Sequence, residues 1–226
     1  TGVHSDVVTA AFKGMLHYAL PILGKDHTGL YLNITIDNQI PIGKGLGFSA
    51  ALCVVFSRMC VCLNWIDADR VYHYAKQFED YFHGASSGVD IRAALSHRLI
   101  HILPSSHLSP VHPVWQPPLY LVDSGVIGST AKAVSKVQGL QSESWAKRVD
   151  HNMRLCVHQV SHALQQYEGG MQHLSAAMKQ AQECFDRWGL TPKSLAVDVR
   201  NLYKAGAHAV KFTGAGDGGY FLVLRG

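Results

Sequence analysis

The stretch at 41–55, "PIGKGLGFSAALCVV", decides which fold we expect, because it joins two segments of different periodicity. Before it, apolar residues alternate with polar ones over 30–36, which predicts a half-buried strand. After it, residues 49–63 are apolar almost all round, which predicts a buried helix. Glycines at such a junction let the backbone approach a ligand, and the helix N-terminus adds a partial positive charge. The loop therefore predicts an anion site, with a tight turn that binds nothing as the simpler alternative.

The spacing of these glycines excludes two common phosphate-binding motifs. No lysine followed by serine or threonine comes after them, as a Walker A loop requires. The dinucleotide-binding fingerprint needs a different separation between its glycines. A phosphate bound here is thus held by another kind of glycine loop.

Composition narrows the class of ligand and the compartment. The 226 residues carry a formal net charge of +4, and the lysines and arginines are scattered, which favours a small anion over a nucleic-acid surface. No apolar run reaches the roughly 20 residues of a membrane span, and we see no basic and apolar leader. The five cysteines lack the spacing of a disulfide framework. We expect a cytoplasmic protein with neither a membrane nor a nucleic acid as its partner.

Helices and strands are predicted along the whole chain without strict alternation. Hydrophobic periodicity predicts helices at 5–22, 49–63, 67–82, 128–137 and 195–205, and two long helices within 142–188 that separate near 169–170. Strands are predicted at 30–36, 98–103, 119–123 and 220–224. This order favours an α+β fold in two lobes. The proline-rich segment at 108–118 marks the expected crossing, so we predict one lobe at 1–115 and another at 116–226.

A second loop, "HGASSGVD" at 83–90, has one carboxylate before it and another at its end. Glu79 lies at the rim of a predicted apolar stripe, where it is either a solvated edge residue or a metal ligand. Phosphoryl transfer from ATP needs Mg²⁺, which takes one or two carboxylates together with hydroxyl and phosphate oxygens, and Glu79 and Ser49 could supply such a pair. Asp90 could accept a proton from an alcohol, or it could cap the segment that follows.

The third glycine-rich loop, "TGAGDGG" at 213–219, lies near the far end of the chain and directly precedes a predicted strand. Two glycine loops that are far apart in sequence often converge on one ligand. Taken alone, however, this loop could be a simple β-turn.

Together, the three loops in this order resemble the GHMP kinase superfamily, which includes galactokinase, homoserine kinase, mevalonate kinase and phosphomevalonate kinase. The first loop is similar to the motif PxxxGLGSSAA, and the third is similar to KLTGAGGGG. The second resembles HGxPSGxD, which is typical of mevalonate kinase. The segments "VDSGVIGSTAKAV" at 122–134 and 189–216 also look like family segments, so the resemblance covers nearly the whole chain.

The resemblance implies a two-lobed GHMP kinase-like α+β fold, with an N-terminal lobe like ribosomal S5 domain 2 and a ferredoxin-like C-terminal lobe. It also implies an enzyme that uses ATP and Mg²⁺ to phosphorylate the primary hydroxyl of mevalonate or a close analogue, in isoprenoid precursor synthesis. The expected partners are this small alcohol and ATP, and a homodimer is left open.

The resemblance also implies roles for individual residues. Asp90 would be the catalytic base, and Ser49 and Glu79 would hold Mg²⁺. The ATP phosphates would be bound by Pro41, Gly43, Lys44, Gly45, Leu46, Gly47, Phe48, Ser49, Ala50, Gly214, Ala215 and Gly216. The substrate would be bound by His83, Gly84, Ser87, Gly88 and Thr130.

Four departures from the family pattern matter. Phe48 replaces the first serine of the first motif, Ser86 replaces a proline with loss of turn rigidity, and Asp217 replaces a glycine where a carboxylate would repel phosphate. The family's N-terminal strand, whose lysine is expected to pair with the catalytic aspartate, does not precede Thr1, so we expect a fragment, a processed chain or a shortened form. Lys44 could contact phosphate but is not assumed to replace that lysine. Two alternatives stay open: a kinase-like protein that binds ligand without turnover, and a kinase for phosphomevalonate or another small alcohol.

Overall fold

The computed structural model describes residues 2–26, 31–103 and 107–226. Within these ranges the chain forms helices and strands in the order α1 (Gly2–Ile22), α2 (Phe48–Cys62), α3 (Val71–His83), α4 (Val89–Leu95), β1 (Ile100–Ile102), β2 (Leu108–Pro110), β3 (Leu119–Asp123), α5 (Thr130–Gln138), α6 (Ser144–Leu164), α7 (Gly170–Arg187), α8 (Ala196–Lys204), β4 (Ala209–Phe212) and β5 (Tyr220–Leu224). Short 3₁₀ turns, Ala68–Arg70 and Lys193–Leu195, precede α3 and α8.

The chain divides into two compact units that are not simple halves of the sequence. The first unit consists of Thr1–Pro41 and Gly47–His97, and the second of Ile42–Leu46 and Arg98–Gly226. Five residues of the first glycine loop thus belong to the same unit as Arg98–Gly226, which lies much further along the sequence. The lobe boundary predicted between 115 and 116 stays a prediction.

The first unit is built from α1, α2, α3 and α4. Its core contains edge-to-face aromatic contacts, with ring centroids 5.7 Å apart for Phe12 and Phe56 and 5.1 Å apart for Phe56 and Phe78. Helix α2 is buried on most sides, because its sequence is apolar almost all round. The helices predicted at 5–22, 49–63 and 67–82 are confirmed, with Pro21 inside the last turn of α1.

The strand predicted at 30–36 is wrong for the residues that the structure describes. Residues 31–39 have no regular secondary structure, and Leu30 lies outside the described residues. An alternating pattern becomes a strand only where another strand pairs with its backbone, and none of the described strands pairs with this segment. Tyr31 accordingly stays 95% exposed.

The second unit contains a three-stranded antiparallel sheet of order β3-β5-β4. Leu119 and Ala209 both pair with Leu224 across this sheet. Helices α6 and α7 pack on each other, and α7 and α8 contact β4. The core between them includes the buried residues Val149, Phe185, Val210, Phe212 and Phe221. The helices and strands predicted here are confirmed within a few residues at their ends.

Three short elements, α4, β2 and β4, were not predicted. Helix α4 has only seven residues, too few for an apolar period to be read. Strand β2 lies in the proline-rich segment and pairs antiparallel with β1, with Pro110 at its last position, where the missing N–H is tolerated. In the part of the chain that the structure describes, every helix is too short or too polar to cross a membrane.

Candidate active site

Three glycines of the first loop have a left-handed backbone conformation, and the last of them directly precedes α2. Gly43, Gly45 and Gly47 have φ values of 69°, 71° and 76°, which side chains rarely adopt. The carbonyl of Gly47 accepts the N–H of Ala51 at 3.0 Å and so starts the helix. Ser49 therefore lies in the first turn of α2, where the backbone N–H groups have no partner within the helix.

In the first unit, the serine of the first motif meets the histidine of the second. Ser49 Oγ lies 3.1 Å from Nε2 of His83, the last residue of α3. Burial lowers the pKa of His83, against the opposing effect of Asp90 and Asp80, so the ring favours its neutral form. Gly84, with φ 75°, ends α3 and donates its N–H to the carbonyl of Asp80 at 2.7 Å.

Glu79, one turn before His83, is a buried carboxylate in the same unit. It is 2% exposed, its Oε2 accepts the hydroxyl of Ser86, and its Oε1 has no hydrogen-bond partner within residues 2–26, 31–103 and 107–226. Burial raises the pKa of Glu79, the Ser86 bond lowers it, and Asp90 and Asp80 raise it further. Of the two alternatives for Glu79, the solvated edge residue is therefore wrong, because the side chain is enclosed. The role of metal ligand stays a prediction.

The residues around Glu79 fit a magnesium ion. A buried carboxylate oxygen without a donor is what a cation would satisfy. The described residues hold no group of three or more histidine, cysteine or acidic side chains placed to hold a metal. A set of one carboxylate and one hydroxyl suits Mg²⁺, which keeps water and phosphate as its other ligands.

The second motif forms the turn between α3 and α4. Gly88, with φ 74°, precedes α4, and a Cβ there would lie 2.6 Å from Tyr72 Oη. Asp90 follows in the first turn of α4 and is exposed, so a dissolved alcohol can reach its carboxylate. Ser87 Oγ accepts the N–H of Val89 at 3.4 Å.

In the second unit, the first glycine loop packs directly on the third. The carbonyl of Lys44 accepts the Thr213 hydroxyl at 3.1 Å and the Tyr220 N–H at 3.2 Å. A Cβ on Gly45 would lie 2.9 Å from Thr213 Oγ1, and one on Gly214 would lie 2.8 Å from Gly45 Cα. Both loops therefore need glycine for backbone contact, and the loop at 213–219 links the antiparallel strands β4 and β5. Its role in binding phosphate stays a prediction.

A residue that sequence reasoning missed, Asp123, holds the side chain of Lys44. Lys44 Nζ lies 2.6 Å from Asp123 Oδ1, which also accepts the Gly125 N–H at 2.9 Å. The Lys44 hydrogen bond is the main cause of a lowered pKa at Asp123. No local sequence pattern indicates this pairing, because Lys44 and Asp123 are 79 residues apart in the chain.

The loop that follows Asp123 forms hydrogen bonds with both the first and the third glycine loop. Its Gly128 N–H donates to the Gly43 carbonyl at 3.1 Å, and its Val126 carbonyl accepts the Gly219 N–H at 2.9 Å. Thr130, the predicted substrate residue in this unit, is the first residue of α5 and is half-buried.

Two departures from the family pattern have clear positions. Phe48 is partly buried and packs against the core of the first unit. Asp217 takes a φ of 62°, a left-handed conformation that suits glycine better, and donates its N–H to the Leu190 carbonyl at 2.6 Å.

The predicted site residues thus form two groups, each described within its own unit. The first unit holds Pro41, Gly47, Phe48, Ser49, Ala50, Glu79, His83, Gly84, Ser87, Gly88 and Asp90. The second holds Gly43, Lys44, Gly45, Leu46, Thr130, Gly214, Ala215 and Gly216. Their roles in binding and catalysis stay predictions.

Comparison with known proteins gives consistent results. The family model "GHMP kinases N terminal domain" matches residues 6–98. The mevalonate kinase of Thermococcus gammatolerans is 26% identical over 211 residues, which cover 88% of this chain and 61% of the relative. That of Thermococcus sibiricus is 29% identical over 201 residues, which cover 85% and 60%. The chain therefore spans about 60% of the length of these curated relatives.

Solved structures show the same fold. The crystal structure of L. major mevalonate kinase in complex with R-mevalonate matches with a TM-score of 0.72 and 24% identity, over 99% of this chain and 70% of that one. The Methanococcus jannaschii mevalonate kinase matches with a TM-score of 0.67 and 15% identity, over 96% and 66%. The expected α+β fold of the GHMP kinases is confirmed.

Proposed function

We propose that this chain, which is related to the GHMP kinase superfamily and similar to mevalonate kinases, transfers the γ-phosphoryl group of ATP to the primary hydroxyl of mevalonate or a close analogue. The product would enter isoprenoid precursor synthesis, and the cysteine pattern of the sequence supports a cytoplasmic setting.

One observation carries this proposal: the buried Glu79, whose Oε1 has no partner in the part of the chain that the structure describes, lies one helical turn before His83, and the His83 ring contacts Ser49. A carboxylate and a helix-initiating serine from two separate motifs are thereby placed at the same end of α3. No packing requirement explains a buried acid with one free oxygen, since such a group lowers stability unless a ligand satisfies it.

The residues would act in the following way. Glu79 and Ser49 would hold Mg²⁺, which neutralises charge on the phosphate oxygens when it is bound. Asp90 would accept the hydroxyl proton of the alcohol while the oxygen of the alcohol forms a bond to the γ-phosphorus of ATP. The bond from that phosphorus to the bridging oxygen breaks at the same time, and ADP leaves. The glycine loops at 43–47 and 213–219 would present backbone N–H groups to phosphate.

A second candidate is a kinase-like protein that binds its ligand without turnover. It is favoured by Lys44, whose ammonium group is paired with Asp123 at 2.6 Å, and by Asp217, which adds a carboxylate to a glycine-rich loop. Both features weaken the positive potential that phosphate binding requires.

The experiment is an assay of ADP release from Mg²⁺-ATP with mevalonate as acceptor, run beside Asp90→Asn and Asp198→Asn. Asp198 is a matched control, because it is also an exposed aspartate in the first turn of a short helix. We expect turnover that requires mevalonate, that falls by about 10²–10⁴-fold in Asp90→Asn, and that survives in Asp198→Asn.

The same assay with phosphomevalonate in place of mevalonate distinguishes a kinase for another substrate from a protein that binds its ligand without turnover. Turnover with phosphomevalonate alone would keep the enzyme and replace its substrate. Binding of ATP with no ADP release for either acceptor would reject the kinase and support the second candidate.

A further inference from the structure

Glu79 is a buried carboxylate whose two oxygens have different surroundings. Its Oε2 accepts the hydroxyl of Ser86, while its Oε1 is enclosed with no hydrogen-bond partner among the described residues. Ser86 is one of the positions where this chain differs from the family motif, which has a proline there. The expectation that this change only loosens the turn is incomplete, because the serine makes bonds that a proline cannot make.

Ser86 is held from three sides. Its N–H donates to Asp80 Oδ1 at 2.6 Å, its Oγ accepts the Gly88 N–H at 3.0 Å, and its hydroxyl hydrogen goes to Glu79. Because a lone pair and the only hydrogen of the hydroxyl are both used, the hydroxyl has one orientation. Asp80 lies on α3 beside Glu79, and Gly88 precedes α4.

A fixed donor also fixes its acceptor. The carboxylate of Glu79 can rotate about its last bond, which would exchange the two oxygens. The Ser86 hydroxyl opposes this rotation, since it binds one oxygen from a rigid turn. The other oxygen is then the one that remains free, in a direction set by the fold.

We propose that Ser86 is a positioning residue for a divalent cation, and that it orients Glu79 so that Oε1 is presented to the metal. The inference rests on the proposed function, because the cation is taken to be the Mg²⁺ that accompanies ATP. Partners that orient a ligating carboxylate commonly set metal affinity as strongly as the ligand geometry does.

The test measures Mn²⁺ affinity in the presence of a non-hydrolysable ATP analogue, by electron paramagnetic resonance of the free ion. The variants are Ser86→Ala, Ser86→Thr and, as a control for the loss of a hydroxyl, Ser135→Ala on the exposed surface of α5. We expect Ser86→Ala to weaken Mn²⁺ binding about 10–100-fold. Ser86→Thr keeps the donor and should restore affinity, and Ser135→Ala should bind as the unaltered protein does.

Circular dichroism checks that each variant is folded. If Ser86→Ala does not fold, Ser86→Cys replaces it, because cysteine has nearly the size of serine and is a weaker hydrogen-bond donor. Unchanged Mn²⁺ affinity in a folded Ser86→Ala or Ser86→Cys protein would overturn the proposal, as would failure of the unaltered protein to bind Mn²⁺ with the analogue. The readout needs no turnover. A loss of affinity in Ser86→Ala would therefore support the role of Ser86 even if the mevalonate assay is negative, and an active kinase with unchanged affinity would reject only that role.

Discussion

At the scale of single residues, Lys211 in β4 carries a charge that the fold does not favour. Its ammonium group donates to the Phe212 carbonyl at 2.7 Å and lies 4.0 Å from the centroid of the Phe185 ring. Burial lowers the pKa of Lys211 from 10.5 to about 8. The unfolded chain therefore binds this proton more tightly than the folded chain, which makes the charged lysine destabilising at neutral pH.

We predict that Lys211→Met raises the free energy of unfolding at pH 7 by about 1–3 kcal/mol. The unaltered protein should gain stability relative to the variant as the pH rises from about 8 to 10.5, where the folded lysine is already neutral and the unfolded one is not. Urea denaturation at several pH values measures this difference. Lys179→Met, on the exposed side of α7, is the control and should change little. A constant difference between the variant and the unaltered protein at all pH values would contradict the assignment.

Asp217 combines two unfavourable properties that substitutions can separate. Its φ of 62° is a glycine-like conformation, and its charge lies in a loop that we expect to face phosphate. Asp217→Asn removes only the charge, because asparagine tolerates the left-handed region about as well as aspartate.

We predict that Asp217→Asn tightens ATP binding several-fold without changing stability. Asp217→Gly should do the same and also relieve up to about 1 kcal/mol of backbone strain. Calorimetric titration with ATP and urea denaturation measure the two effects. Weaker ATP binding in Asp217→Asn would show instead that the carboxylate assists the nucleotide site.

At the scale of elements, the second unit depends on three loops that touch through their backbones. Gly45 shows this most directly, since a Cβ there would lie 3.1 Å from the backbone carbon of Thr213. Gly125 has nearly the same φ, 72° against 71°, but a Cβ there would meet nothing within 4 Å. The two glycines therefore share their backbone strain and differ in the space around them.

We predict that Gly45→Ala destabilises the protein more than Gly125→Ala does. Both substitutions place alanine in the left-handed region, which costs about 1 kcal/mol. Only Gly45→Ala also forces Thr213 to move, which adds about 1–3 kcal/mol. Chemical denaturation of the two variants measures the loss in free energy of unfolding for each. Equal losses would show that the two loops can move apart at no cost in free energy.

At the scale of the whole molecule, much of the fold could be predicted, because long periodic segments report burial directly. The sequence of α2 indicates a buried helix, and β3 and β5 were located by their apolar runs. The strand predicted at 30–36 failed over 31–36 because alternation records only the preference of a segment and not whether a neighbouring strand pairs with it.

The candidate site, like the fold, could be predicted from the sequence only in part. Ser49, Glu79 and Asp90 could be predicted as site residues because their residue types recur at recognisable positions in glycine-rich motifs, and their roles stay predictions. Asp123 and the bonds of Ser86 were missed, because they depend on contacts that no local pattern encodes. Lys44 and Asp123 are 79 residues apart in the chain, so their pairing follows from tertiary structure alone.

The placement of Ile42–Leu46 in the second unit has a consequence for how the protein is made. The Lys44 carbonyl binds a hydroxyl that is 169 residues further along the chain. A ribosome must therefore synthesise the whole stretch between Lys44 and Thr213 before this loop meets its native neighbours. Closing so long a stretch of chain is also among the slowest steps that topology imposes. The loop that we expect to bind phosphate therefore lacks these contacts while the intervening residues are made, which delays its nucleotide binding until Thr213 has been synthesised.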